Sequence, residues 1–337
     1  METEDQIKAL PKLEQHIHIV GSVRPETLLW LVEEAGVEFP SSLEEVEQFF
    51  RYKDFDHFIS VYSKVNDCIT DERQFERIVF EMLEMEAKSN VKHVEAIFST
   101  YDHVRRGLNH GSMIKALNRG IRKAREELGI GCTIRVDLVR NYGPEIGMKV
   151  LNLIEEEHEN IVAIDLGGSE GGFPPAPYKD VFKRAKEMGL RLVAHAGEVS
   201  GPRSIWDTIN YLNVERIGHG VSATMDSQLL TVIKKQGITI EACPISNVKT
   251  GIVPSIIQHP IRRFYDEGLS VSVNSDDPSM FGTDMNHEYL QLQRELGFTV
   301  EDLFNISLNA VASSFLSETQ KRRMIEQFQK EYLKIIY

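Results

Sequence analysis

The chain has 337 residues, 42% of them hydrophobic, and a formal net charge of −13 from 38 basic and 51 acidic side chains. Such a surface repels nucleic acid phosphates and anionic membranes, which leaves a small molecule as the expected partner. No apolar run approaches the ~18 residues of a membrane span, and METEDQIKALPKLEQ lacks the basic-then-apolar pattern of a secretion leader.

Cys68, Cys132 and Cys243 are widely spaced with no CxxC pair. This argues against a disulfide framework or a thiolate zinc site and fits a reducing compartment, so the expected location is cytoplasmic. Eight short β-branched runs then follow in order: KLEQHIHIV, VKHVEAIFS, CTIRVDLVR, NIVAIDLGG, LRLVAHAGE, VERIGHG, GITIEACPIS and GLSVSVNSDD. Segments of helical period separate them, such as PEIGMKVLNLIEEEHE and YKDVFKRAKEMG. Strands alternating with helices mean parallel strands joined by crossovers, and eight such units are the count of a (β/α)8 barrel. The reading is one α/β domain over 1–337, a TIM barrel with a helical insertion at about 23–90 after the first strand. Residues 300–337 read as closing helices.

A barrel of this kind gathers its reacting groups at the C-terminal ends of its strands. His16 and His18 end the first run, His195 the fifth, His219 the sixth and Asp276 the eighth. In a strand, His16 and His18 share one face while Ile17 and Ile19 take the other. Taken singly, each of these residues is more often structural, as is the Asp-Pro turn in SDDP; their coincidence at strand ends is what points to a site. His16, His18, His195 and Asp276 form a nitrogen-and-oxygen set suited to one zinc ion per chain. Barrels that hold two ions commonly bridge them with a lysine after the fourth strand, and AIDLGGSEGG has none. Glu198, in HAGE, is placed to transfer a proton, and His219, in RIGHG, to orient the attacking oxygen. Asp277 is free to hydrogen-bond a substrate. GGSEGG lacks GxxxxGK[ST] and reads as a tight loop rather than a phosphate cradle. His57, His93, His103, His110, His158, His259 and His287 read as solvated or structural.

The segments PKLEQHIHIVGSVRPETL, DLGGSE, HAGE, RIGHG, CPISN and VNSDDPSMFGT resemble, in order and spacing, those of the adenosine deaminase family, over about residues 11–325. The resemblance implies a zinc-dependent barrel that converts a 6-aminopurine to its 6-oxo form and releases ammonia. It implies that Glu198 serves purine N1, the Gly168 N–H serves N3 and Asp277 the N7 side. Phe58, Ile59 and Tyr62 fall where the family's insertion covers the ligand, and Arg140 matches the family at the end of the third run, counted with the substrate-binding residues. Two positions depart from the pattern. Val20, counted with the substrate-binding residues as a specificity position, replaces an aspartate that receives the ribose 5′-hydroxyl, and Ile97 replaces a common arginine. Adenosine or 2′-deoxyadenosine is the expected substrate. The alternatives are adenine, a 5′-modified or N6-substituted nucleoside, or another aminated heterocycle. A catalytically silent purine-binding barrel is the reading from outside enzymes. Nucleic acid and membrane partners are not expected, and the sequence leaves the oligomeric state open.

Overall fold

The structure is a computed structural model that describes residues 1–37 and 40–337. All eight runs form strands: β1 (Lys12–His18), β2 (Val91–Phe98), β3 (Gly131–Val139), β4 (Ile161–Gly167), β5 (Arg191–Ala196), β6 (Arg216–His219), β7 (Thr239–Ala242) and β8 (Val271–Val273). Each pairs in parallel with the next, in the order β1 through β8. The seam between β8 and β1 closes just beyond the last strand. There the His18 N–H donates to the Asp276 carbonyl at 2.7 Å, and the Asp276 N–H donates to the His16 carbonyl at 3.1 Å. Barrel closure therefore sets three of the expected metal ligands side by side.

Helices cover the outside of the strands, so the apolar residues of the outward face are buried. The inward face below the strand ends is ionic rather than apolar. Arg135 lies 2.8 Å from both Asp165 and Glu241, and Arg216 lies 2.8 Å from Glu241 and also pairs with Glu95. All five side chains are buried. Each charge there needs its partner, because removing one leaves the other uncompensated in a dry interior.

Among the described residues, four α-helices lie between β1 and β2: Pro25–Ala35, Leu43–Phe49, Phe55–Cys68 and Gln74–Lys88. The last packs against the helix His110–Leu128 and directly precedes β2, as a crossover helix of the outer ring does. The other three lie ahead of it in the chain. Asp54 starts the third of them by accepting a hydrogen bond from the His57 N–H at 2.8 Å, the expected device at a helix N-terminus. Helices Val300–Ser313 and Glu318–Ile336 close the chain, each opened by a capping box. Among the described residues, no helix is long and apolar enough to cross a membrane.

Candidate metal centre and cavity

His16, His18, His195 and Asp276 each offer a ligand atom, and the four atoms lie within 4.8 Å of one another. Asp276 Oδ1 is 3.2 Å from His16 Nε2 and 3.3 Å from His18 Nε2. The His16 and His195 ring centroids are 4.5 Å apart. Carboxylates behind the rings fix which nitrogen faces inward. Glu241 Oε2 is 2.8 Å from His16 Nδ1, and Asp165 Oδ1 is 3.2 Å from His195 Nδ1. His16 Nε2 is consequently buried with no hydrogen-bond partner of its own. Ser246 Oγ donates to the other Asp276 oxygen at 2.7 Å. Converging imidazole nitrogens oriented by outer carboxylates, with one carboxylate oxygen among them, fit a zinc-type ion. A second grouping exchanges His18 and His195 for His219 and Cys243. Burial pushes the Cys243 thiol well above its ordinary range and keeps it protonated, a poor ligand form.

The backbone is strained where it presents these groups. Among the described residues, five non-glycines have positive φ; three are asparagines, and the other two are His219 at 62° and Asp276 at 64°. Asparagine tolerates the left-handed region best, so strain of roughly 1–3 kcal/mol each sits on the two site residues.

Glu198 sits on the loop after β5, and its side chain is buried. Burial, then the neighbouring Asp276 and Glu170 charges, push its carboxyl well above the usual carboxylate range. His219 Nδ1 lies 3.6 Å from Glu198 Oε1. Burial holds the His219 imidazole well below its ordinary value, against the pull of Asp276, so the ring is neutral. A chain of hydrogen bonds assigns its tautomer. The Ile261 N–H donates to His259 Nδ1 at 3.2 Å, which leaves the proton on His259 Nε2. That nitrogen donates to Asn247 Oδ1 at 3.2 Å, and Asn247 Nδ2 donates to His219 Nδ1 at 3.2 Å. His219 Nε2 therefore carries the hydrogen, on the side of Asp276 Oδ2, 4.0 Å away.

These groups border a cavity of about 250 Å³. Phe58, Ile59 and Tyr62, from the inserted helix, line it together with Gly168. Asp277 also lines it, and its carboxyl packs against Gly21 so closely that a Cβ there would come within 1.8 Å of Asp277 Oδ1; no other residue fits. Burial and the Asp276 charge push the Asp277 carboxyl well above its ordinary range.

Val20 and Arg140 are not on the cavity wall. Val20 is 1% exposed and packs into the apolar core. Arg140 directs its guanidinium at the carbonyls of Leu166, Gly167, Phe173 and His195, leaving no free edge for a substrate. Ile97 is likewise buried in the core. The wall instead includes Ser99, Asp102, Asp137 and Tyr142, which the sequence reading did not single out. Asp165, Glu241 and Glu170 were missed too. A carboxylate inside an otherwise apolar strand run, as in VAIDLGG or ITIEAC, was the available signal for the first two, since an interior charge must have a partner.

Comparison with known proteins agrees with this geometry. The adenosine deaminase family profile matches residues 11–331. An adenine deaminase from Acinetobacter baylyi is 32% identical over 97% of this chain and 99% of its own length. An aminodeoxyfutalosine deaminase from Streptomyces coelicolor is 34% identical over 95% and 84%. The crystal structure of an adenine deaminase from Arthrobacter aurescens superposes with a TM-score of 0.92, at 28% identity, over 95% of this chain and 98% of that one. A barrel with this arrangement of strand-end residues, matched over nearly its whole length, belongs to the adenosine deaminase family.

Proposed function

We propose that this protein is a metal-dependent aminohydrolase that exchanges the 6-amino group of a purine for oxygen, consuming water and releasing ammonia. The observation that carries the reading is the meeting of His16, His18, His195 and Asp276 at one end of a cavity that also receives Glu198. Those four residues would hold one zinc ion per chain, which when bound would supply Lewis-acid activation of water.

The side chains around it do the rest. Gly168 gives a backbone N–H to purine N3, and Asp277, as a neutral acid, donates to N7, fixing the plane with carbon 6 toward the histidines. Glu198 donates its proton to N1, which withdraws electron density from carbon 6 and opens it to attack by water oxygen. His219, with its Nε2–H, holds that oxygen in line. As the carbon–nitrogen bond breaks, Glu198 passes one proton of that water to the leaving amine and recovers its own proton from the other, which leaves the 6-oxo group and ammonia. Phe58, Ile59 and Tyr62 close over the ring and keep bulk water out. The named relatives deaminate adenine and aminodeoxyfutalosine, so the reaction is shared while the group beyond the base varies. Adenine or a modified aminopurine nucleoside accordingly stands ahead of adenosine as the substrate. The acidic and histidine groups are complete, which favours an enzyme over a silent binding barrel.

The test is ammonia release from adenine, adenosine, 2′-deoxyadenosine, 5′-deoxyadenosine and N6-methyladenosine with zinc-loaded protein. Release from at least one, with the matching 6-oxopurine formed, supports the reading. No release from any of them refutes it.

A further inference from the structure

The same cavity has a second polar end, formed by β2, β3 and the segments that follow them. Asp137, 3% exposed, is the last but two residue of β3 and turns inward against Gly167, where a Cβ would come within 2.6 Å of Asp137 Oδ1. Ser99 Oγ donates to Asp137 Oδ2 at 2.8 Å, while Asp137 Oδ1 is buried with no hydrogen-bond partner. A carboxylate oxygen buried at the wall of a ligand cavity without a donor is costly unless a ligand brings one. Asp102 stands beside it. Its Oδ1 accepts from the Tyr142 hydroxyl at 2.7 Å and its Oδ2 receives only a long contact, 3.5 Å, from Asn66 Nδ2.

No lysine or arginine is among the described residues lining the cavity. Arg140 is committed to carbonyls, and Arg106 is directed at the carbonyls of Asn66, Asp67 and Asp102. Arg105 is exposed and lies over the Tyr142 ring, outside the wall, where solvent screens its charge.

Building on the aminopurine reading above, we propose that Asp102 and Asp137 form an acidic subsite for an uncharged hydrogen-bond donor on the substrate, at the side away from the 6-amino group, and exclude phosphate- or carboxylate-bearing substrates. The oxygen without a partner selects for a donor, and the paired negative charges select against an anion. Two sources supply such a donor: the N9–H of a free base, or a hydroxyl of a neutral sugar.

The experiment measures binding of hypoxanthine, inosine and IMP to the zinc-loaded protein by calorimetry, beside initial rates on adenine, 9-methyladenine, adenosine and AMP. Wild type is expected to bind the better of hypoxanthine and inosine at least about 100-fold more tightly than IMP, the range that a repelled charge commands. The double variant Asp102→Asn, Asp137→Asn should narrow that gap at least about tenfold, because the amides keep the shape and lose the charge. A strong preference for adenine over 9-methyladenine identifies N9–H as the donor; a preference for adenosine over both identifies the sugar. IMP binding within about threefold of inosine and hypoxanthine, or a gap that the folded double variant leaves unchanged, overturns the subsite, as does failure to bind any of the three. The outcomes separate the two readings. Ammonia from AMP as readily as from the neutral substrates removes the subsite and keeps the deaminase; selective binding without ammonia removes the deaminase and keeps the subsite.

Discussion

Glu170 holds the loop that carries Glu198. Its carboxylate accepts hydrogen bonds from four successive backbone N–H groups: Gly197 at 2.5 Å, Glu198 at 3.1 Å, Val199 at 2.9 Å and Ser200 at 2.8 Å. Glu170 is itself buried, so these bonds are made out of water and are charge-assisted. Glu170→Gln keeps one acceptor oxygen and turns an NH2 toward the same N–H groups. Turnover should fall by about 10- to 100-fold, the cost of displacing a positioned group by roughly an ångström, with KM little changed. Amide exchange at residues 197–200 should quicken in step. Unchanged exchange together with unchanged turnover would remove Glu170 from this role.

Glu198→Gln keeps the shape and the long contact from Asn247 Nδ2, 3.4 Å in the native chain, but cannot shuttle a proton. Bound metal should be unaffected, and turnover should drop by at least ~10²-fold. Activity within about threefold of wild type would mean that the proton travels another way.

His259 acts at a distance, through Asn247, on the tautomer of His219. Replacing it by phenylalanine frees the Asn247 amide to turn over, and His219 then populates both neutral tautomers. We expect kcat to fall by about tenfold or more with substrate binding retained. Nitrogen chemical shifts of His219 should report the mixture directly. A single unchanged tautomer in the variant would show that something else sets it.

His103 offers a separate test, of acid stability. It is buried, stacked on Phe98 at 5.8 Å and edge-on to Phe75 at 4.9 Å, with Nε2 unpartnered. Burial, with Arg106 and Arg105 adding to it, lowers its pKa from 6.5 to about 3. Below 6.5 the unfolded chain binds a proton there and the folded chain does not, until about pH 3. The stability this neutral ring contributes is thus fully present above pH 6.5 and is lost as pH falls. Relative to His103→Phe, wild type should lose about 1.4 kcal/mol per pH unit from pH 6 toward pH 4. Denaturant melts of both proteins at a series of pH values check this, and parallel curves would contradict it.

The barrel was legible because β-branched runs and helical periods alternate eight times with clear breaks. His16, His18, His195, His219 and Asp276 were legible because strand ends are where this architecture gathers chemistry. What strand periodicity cannot give is partnership across the barrel. Nothing local marks Glu170, in a glycine-rich loop, as the acceptor for four N–H groups on another loop, or His259 as more than a structural histidine. Asp102 and Asp137 come from different strand ends and meet only once the barrel closes. The same limit misplaced two residues: the Val20 side chain enters the core, and Arg140 serves carbonyls.

The central claim, a single catalytic metal at His16, His18, His195 and Asp276, is tested most directly by titrating metal-stripped protein with zinc while following ammonia release from the best aminopurine. Activity should be absent at the start, rise in proportion to added zinc and break at one ion per chain, with His195→Ala showing neither tight binding nor activity. A break at two ions, or full activity in the stripped protein, would contradict it.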